Sequence, residues 1–383
     1  MAWSPGSFVA DSVERRGASM KTNRLTEGLR IVSAFALKDI RDAIQNRNVL
    51  AIGVGTLMLL LSTMALPLLM GLRTTMEVHV YDPGRSNLIR GLAIDKSLNV
   101  RRVKSEPDLR EAIGGSFGEL TGLIIEPALM EAHQSADPIT IQGFYPHWMA
   151  LEAVEDARQI LETKLSQAAG FPVRVDLTRG ALYPSFYALG QATMLSSGLV
   201  IVILSIGGML TPHLMIEEKE KGTWAALMVT PASQGQIVTG KALAGIFYGL
   251  IASAVALVLF QRWILHWDLA ILAVFLGSLF IVAVGLLLGV ITENPSRLGM
   301  WMGVVVMVLM LPVFMNFFPT RTEPSWWQTI LSWVPSVGFS DLIRASFVDM
   351  YPSSVLLRGI ASMLGSAAIL LSLVSWRVGK SEI

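Results

Sequence analysis

Residues 191–223 read QATMLSSGLVIVILSIGGMLTPHLMIEEKEKGT. From Phe186 to Pro212 no side chain is charged, and then Glu217, Glu218, Lys219, Glu220 and Lys221 follow without a gap. At about 1.5 Å per helical residue, such a run crosses the roughly 30 Å of a bilayer's hydrocarbon, and the charges mark where it leaves. Runs of the same kind lie at 49–72, 242–261, 269–291, 298–318 and 355–376. Only the last contains a charge, Arg358, near one end where a long side chain can snorkel to the headgroups. The composition agrees: 52% of residues are apolar and 15% charged, against about 25% charged in soluble domains, and the mean hydropathy is +0.55. Six membrane-spanning helices, TM1 49–72, TM2 186–212, TM3 242–261, TM4 269–291, TM5 298–318 and TM6 355–376, are therefore predicted.

Working outward, the short connections set the orientation. With the N-terminus inside, the inner side holds nine basic residues (Lys38, Arg41, Arg47, Lys219, Lys221, Lys241, Arg297, Arg377 and Lys380) and the outer short loops four (Arg262, Arg321, Arg344 and Arg358). Both termini are expected to be cytoplasmic, in a multi-pass protein of the cell (inner) membrane. Residues 1–28 read as a disordered cytoplasmic tail, in which Met20 is an alternative start, and 377–383 as a second cytoplasmic tail. The first apolar run begins too deep for a cleaved signal. Before it, Leu29, Val32, Ala36, Leu37, Ile40 and Ile44 recur at helical spacing, predicting an amphipathic interfacial helix over 29–48.

The stretch 73–185 would be one extracytoplasmic domain inserted between spans one and two. β-like runs at 76–81, 100–104, 120–125, 139–144 and 173–177 alternate with helical patterns at 87–94, 107–113 and 148–169, which predicts an α/β architecture. The connection 319–354 holds Trp326, Trp327, Trp333, Phe339, Phe347 and Tyr351. Such residues favour the headgroup zone, so it reads as an outer interfacial or re-entrant connection.

Several chemistries are unsupported. There is no cysteine, and the five histidines (His79, His133, His147, His213 and His266) have no metal-ligand spacing, so no metal is expected. No catalytic constellation occurs, and no nucleic-acid patch. Gly235, Gly240 and Lys241 stand in the spacing G-x-x-x-x-G-K of a phosphate loop. That loop needs a preceding strand and a Ser or Thr after its lysine, whereas position 242 is alanine and a membrane span follows. The chain is not expected to be an enzyme.

The segment 213–241 joins spans two and three: a charged helix end, a break at Gly222, a short apolar helix, a turn at Thr230-Pro231 and a helix re-entering the membrane. The run Glu218-x-Glu220-x-Gly222-Thr223, then Leu227, Thr230-Pro231 and Lys241, resembles the cytoplasmic signature of ABC-2 type transporter permeases. Val334-Pro335 followed by Asp341-Leu342-Ile343-Arg344 resembles that family's connection before the last span. Trp224 and Ala225 depart from the pattern. The resemblance implies a membrane all-α, type V exporter-like fold of six transmembrane helices, with an enlarged outer domain in some members. It also implies that a separate ABC ATPase subunit binds ATP and Mg, that this chain binds no cofactor, and that a second permease copy or paralogue completes a homo- or heterodimer in the bilayer. Glu217, Glu218, Glu220, Gly222, Thr223, Leu227, Thr230, Pro231 and Lys241 would then couple to the ATPase, with Leu37, Lys38 and Arg41 of the interfacial helix as a second contact.

Glycine pairs four apart at Gly245 and Gly249, Gly285 and Gly289, and Gly299 and Gly303 permit close helix approach, as at a dimer seam. The first five runs carry no ionisable residue, which argues against a secondary transporter needing a relay at the midplane. Gln191, Thr193, Ser197 and Met307 are the candidate pathway lining, and an apolar or amphipathic cargo, drug-like or lipid-like, is expected. The rival readings are a sodium-exporting permease of the same family, and a membrane-anchored sensor or scaffold whose outer domain binds a ligand or protein.

Overall fold

The computed structural model describes residues 27–71, 76–84, 86–93, 97–126, 138–186, 190–223, 230, 232–315 and 326–380. Helix α1 (Glu27–Gln45) precedes α2 (Arg47–Gly71), with a 75° bend between α1 and the Leu50–Ser62 part of α2. A sheet region follows, and then α6 (Gln191–Glu220), α7 (Gln234–Leu259), α8 (Trp267–Ile291), α9 (Pro295–Met315), α10 (Trp326–Leu331), α11 (Pro335–Phe347) and α12 (Ser353–Lys380). Five of these, α6, α7, α8, α9 and α12, are long and apolar enough to cross a membrane, and α1 with Leu50–Ser62 makes a sixth when counted as one bent span.

Helix ends depart from the hydropathy bounds for local reasons. The uncharged run stops at Pro212, but α6 continues to Glu220, and its stop waits for Gly222 at φ +70. Only glycine adopts that left-handed conformation without a steric penalty. Helix α7 starts well before the apolar run at 242. Its first turn is closed by a capping box in which the Ser233 side chain accepts from Gln236 N–H and the Ser233 N–H donates to Gln236 Oε1.

Helices α6 and α8 form the centre, with 72% of the most apolar window of each buried, against 33% for α7 and α9 and 22% for α12. In lipid there is no hydrophobic gain from helix association, so close contact through small residues supplies the packing. Ile281 of α8 lies over Gly207 and Gly208 of α6, and Gly285 meets the Gly207 carbonyl and Pro212. This corrects the dimer-seam reading for two glycine pairs. Gly245 faces Thr211 and Val282, Gly249 faces Ser278, and Gly289 faces Met215 and Pro212, all within the chain. A β-carbon at Gly299 or Gly303 on α9 would meet no packed neighbour within 4 Å among the described residues. Helix α11 is buried almost throughout, wedged among α6, α8, α9 and α12, with the Phe339 ring over Gly277. The connection 319–354 thus contributes a core element, while Trp326 and Trp333 stay exposed.

The sheet region comprises β1 (Met76–Tyr81), α3 (Asn87–Ala93), β2 (Leu98–Arg102), α4 (Glu106–Gly114), β3 (Leu120–Ile124), β4 (Ile139–Pro146), α5 (Leu151–Ala169), β5 (Val173–Asp176) and β6 (Ala181–Leu182). The order is β2-β1-β3-β4-β5, with β6 paired to β4. Strands β1, β2 and β3 are mutually parallel, β4 runs antiparallel to β3, and β5 is parallel to β4. One face packs Val78, Val80, Leu123 and Ile141 against Leu161 and Leu165 of α5. The other packs Ile124 and Phe144 against Leu109 and Ile113 of α4. Central β3 is buried at every position, as a strand covered on both faces must be.

The sheet meets the helices at the α7–α8 turn, where Trp148 and Trp263 have ring centroids 6.1 Å apart and His147 stacks on Tyr183. Burial pushes the His147 imidazole below its ordinary value, and the backbone of Trp263 and Leu182 pulls the other way. A folded-state pKa below the unfolded one means that the stabilisation is complete above the unfolded value and is lost as pH falls through the folded one. Acidification from about pH 7.5 to about pH 5 is therefore expected to loosen this seam. Tryptophan emission of Trp148 and Trp263 checks it: the red shift should disappear in His147→Phe, and a shift that persists there would assign the effect elsewhere.

Candidate coupling site

The last turn of α6, the face of α1 and the second turn of α7 converge on four charges. Lys241 is 2% exposed, Asp39 3% and Glu218 8%. The Lys241 ammonium lies 2.6 Å from Glu218 Oε2 and 3.2 Å from Asp39 Oδ2. Lys38 closes the group at 2.8 Å from Glu218 Oε1 and 3.8 Å from Asp39 Oδ1. The exposed Asp42 also stands 3.8 Å from Lys38, so two lysines meet two buried carboxylates and one exposed carboxylate. Burial pushes the Asp39 carboxyl above the usual carboxylate range, against the pull of Lys241.

Gly240 makes the approach possible. A β-carbon there would lie 2.6 Å from Phe35 Cβ and 3.2 Å from the Val32 carbonyl, so α1 can rest on α7 only because position 240 is glycine. The Gly-Lys pair that imitates a phosphate loop is thus a helix contact followed by a buried ion pair. Two more links hold α1 and its exit: the Tyr248 hydroxyl donates to the Ile40 carbonyl, and Asn46 Nδ2 donates to Glu217 Oε2.

Around this centre the predicted residues separate. Glu218 is turned inward and engaged by Lys38 and Lys241 of its own chain, so its carboxylate does not face outward. Glu217 is half-buried and also accepts from Lys221, whose ammonium it holds above the ordinary lysine value. Glu220, Gly222 and Thr223 are exposed, the Thr223 hydroxyl donating to the Glu218 carbonyl, and Thr230 is half-buried. Leu227 and Pro231 lie outside the described residues. On α1, Lys38 joins the ionic group, while Leu37 (73% exposed) and Arg41 face outward. Beside them Lys219 donates to the carbonyls of Gly289 (2.7 Å), Val290 (3.1 Å) and Thr292 (3.0 Å), closing the end of α8.

Of the candidate pathway residues, Thr193 and Ser197 lie together and Met307 does not join them. Thr193 and Ser197 are buried on α6, Ser197 donating to the Thr193 carbonyl, and nearby Ser196 lies 3.4 Å from Ser340 of α11. Met307 is 65% exposed on the outer side of α9, and the Gln191 side chain lies outside the described residues. Sequence reasoning missed Asp39 and Lys219. Asp39 had a signal: it falls at the helical spacing of Ala36 and Ala43, the buried stripe of α1, where an acid needs a partner.

The profile of the ABC-2 family transporter proteins matches residues 49–376. Over 285 residues, 70% of this chain and 74% of the relative, the chain is 23% identical to the protein named "Probable multidrug ABC transporter permease YbhS" in Escherichia coli (strain K12). The protein of that name in Escherichia coli O157:H7 matches equally. With its apolar spanning helices and the matched profile covering most of its length, this chain belongs to the ABC-2 family of transporter proteins.

Proposed function

We propose that this permease is the membrane half of an exporter driven by a separate ABC ATPase, which binds ATP and Mg and docks between α6 and α7. The observation that carries the reading is the geometry of that junction. A helix stop at Gly222 presents Glu220, Gly222 and Thr223 outward, while the turns on either side are fixed by the buried charges. A fixed frame around an exposed segment transmits displacement instead of absorbing it. In this reading α1 lies on the cytoplasmic surface of the inner membrane, with Leu37 and Arg41 toward lipid or the ATPase, and the sheet region is extracytoplasmic. A second copy or paralogue completes the path against α9, where Gly299, Gly303 and Met307 share one open face. The relative's name speaks of multidrug transport, and spans uncharged but for Arg358 favour an apolar or amphipathic cargo here.

The test is to coexpress the chain with candidate ABC ATPase subunits of its source, purify it and measure hydrolysis. Gly222→Ala places a β-carbon at φ +70, a penalty of about 1–2 kcal/mol. That lowers the population of the docking geometry, and permease-stimulated turnover with it, roughly tenfold. Glu220→Ala should weaken copurification without unfolding the chain. If no ATPase copurifies, or turnover ignores both changes, the exporter reading is wrong.

A further inference from the structure

We infer that Lys241 and Lys219 are positioning residues that carry movement of the α6–α7 junction along two separate arms, Lys241 to α1 and Lys219 to the α8–α9 turn. This deepens the coupling reading proposed above and rests on it. Glu218 and Lys219 are adjacent in one helical turn, about 100° apart around α6, so they point to different neighbours. Glu218 reaches Lys241 of α7 and Lys38 of α1, and Asp39 binds the same Lys241 from α1. Lys219 reaches the carbonyl oxygens at the end of α8, with the Glu293 carboxylate of the same turn nearby. Any rotation or tilt of that one turn pulls both arms at once.

Stability alone does not call for this chemistry. A buried ion pair replaced by apolar groups of similar volume is often neutral or stabilising, because desolvation offsets the attraction. What charges add is direction: each ammonium is fixed on named oxygens of specific helices. A cationic group at a helix C-terminus likewise fits the α8 end electrostatically, where the last carbonyls have no intrahelical donor. The ammonium of Lys219 thus joins the junction to the span next in the central pair, and the ammonium of Lys241 joins it to the helix outside the bundle.

Hydrogen–deuterium exchange on the purified chain, alone and with its ATPase, tests the two arms. In the chain alone, Lys241→Met should speed exchange of the α1 amides by about tenfold or more and leave the α8–α9 turn unchanged, while Lys219→Met does the opposite. Lys241→Arg, which keeps a cation between Asp39 and Glu218, should retain α1 protection that Lys241→Met loses, which a merely space-filling role would not predict. Lys241→Arg provides a milder variant should Lys241→Met fail to fold. With the ATPase bound, trapping the nucleotide state should alter exchange at both places in the native chain, with the α1 response diminished in Lys241→Met, where Lys38 still binds Glu218, and the turn response diminished in Lys219→Met. Loosening of both places by either variant, or of neither, overturns the inference. An ATPase that never binds the native chain overturns the exporter reading instead, and the arms are then decided by the chain alone.

Discussion

Replacing Glu218 with alanine is expected to destabilise the chain by about 3–5 kcal/mol, the range for breaking a buried ion pair from one side. The reason lies in what is left behind. Lys241, almost fully buried, would keep only Asp39, at 3.2 Å, and Lys38 would keep the weaker 3.8 Å approach to the same carboxylate. Lys38, 43% exposed and also 3.8 Å from Asp42, can turn to water, whereas Lys241 would be left in a closed site with Asp39 alone at 3.2 Å. Glu218→Gln keeps the shape and one acceptor oxygen, so its cost should be smaller. Glu220→Ala, on an exposed side chain two residues away, should change stability by less than about 0.5 kcal/mol. Denaturant unfolding of the three purified variants in one detergent checks the order. Equal stability of Glu218→Ala and Glu220→Ala would remove the ionic group from any structural role.

That pair of variants also measures what sequence reading misses. Glu217, Glu218 and Glu220 look alike as letters, and a charged helix end is ordinarily a solvated face. The difference between them is 100° or 200° of helical rotation relative to neighbours that come from residues about 180 positions earlier, in α1, and just beyond the junction, in α7. Periodicity within one segment cannot supply that relation. The apolar repeat before the first span likewise finds a helix without showing which of its faces meets protein. Leu29, Leu37 and Ile44 are exposed, while Ala36 and Ala43 lie against the bundle with Asp39 between them. The small residues, not the large ones, mark the face that packs on protein. By contrast, the spanning helices and the strands β1, β3 and β5 fall close to where composition and alternation place them, because lipid and a two-sided core act on every residue of a run.

The glycines of the spanning helices lead to the second large effect. Gly285→Val should destabilise the chain by about 1–3 kcal/mol or more, the cost of overpacking a closely fitted core. Its β-carbon alone would stand 3.0 Å from the Gly207 carbonyl and 3.0 Å from Pro212 Cδ, and the two added methyl groups have no room between α6 and α8. Backbone and a proline ring cannot rotate aside as a flexible side chain would, so the central helix pair itself must separate. Gly303→Val makes the same chemical change in the same small-xxx-small pattern, yet a β-carbon there would meet no packed neighbour within 4 Å among the described residues. A folded protomer with normal thermal stability is expected there, and the consequence should fall on assembly. Cysteine pairs at Gly299 should cross-link two copies in the membrane, and Gly303→Val should reduce the yield. The contrast divides glycines that close the protomer from glycines that leave a face for a partner. If Gly303→Val unfolds the chain while Gly285→Val does not, the assignment of the two pairs is reversed.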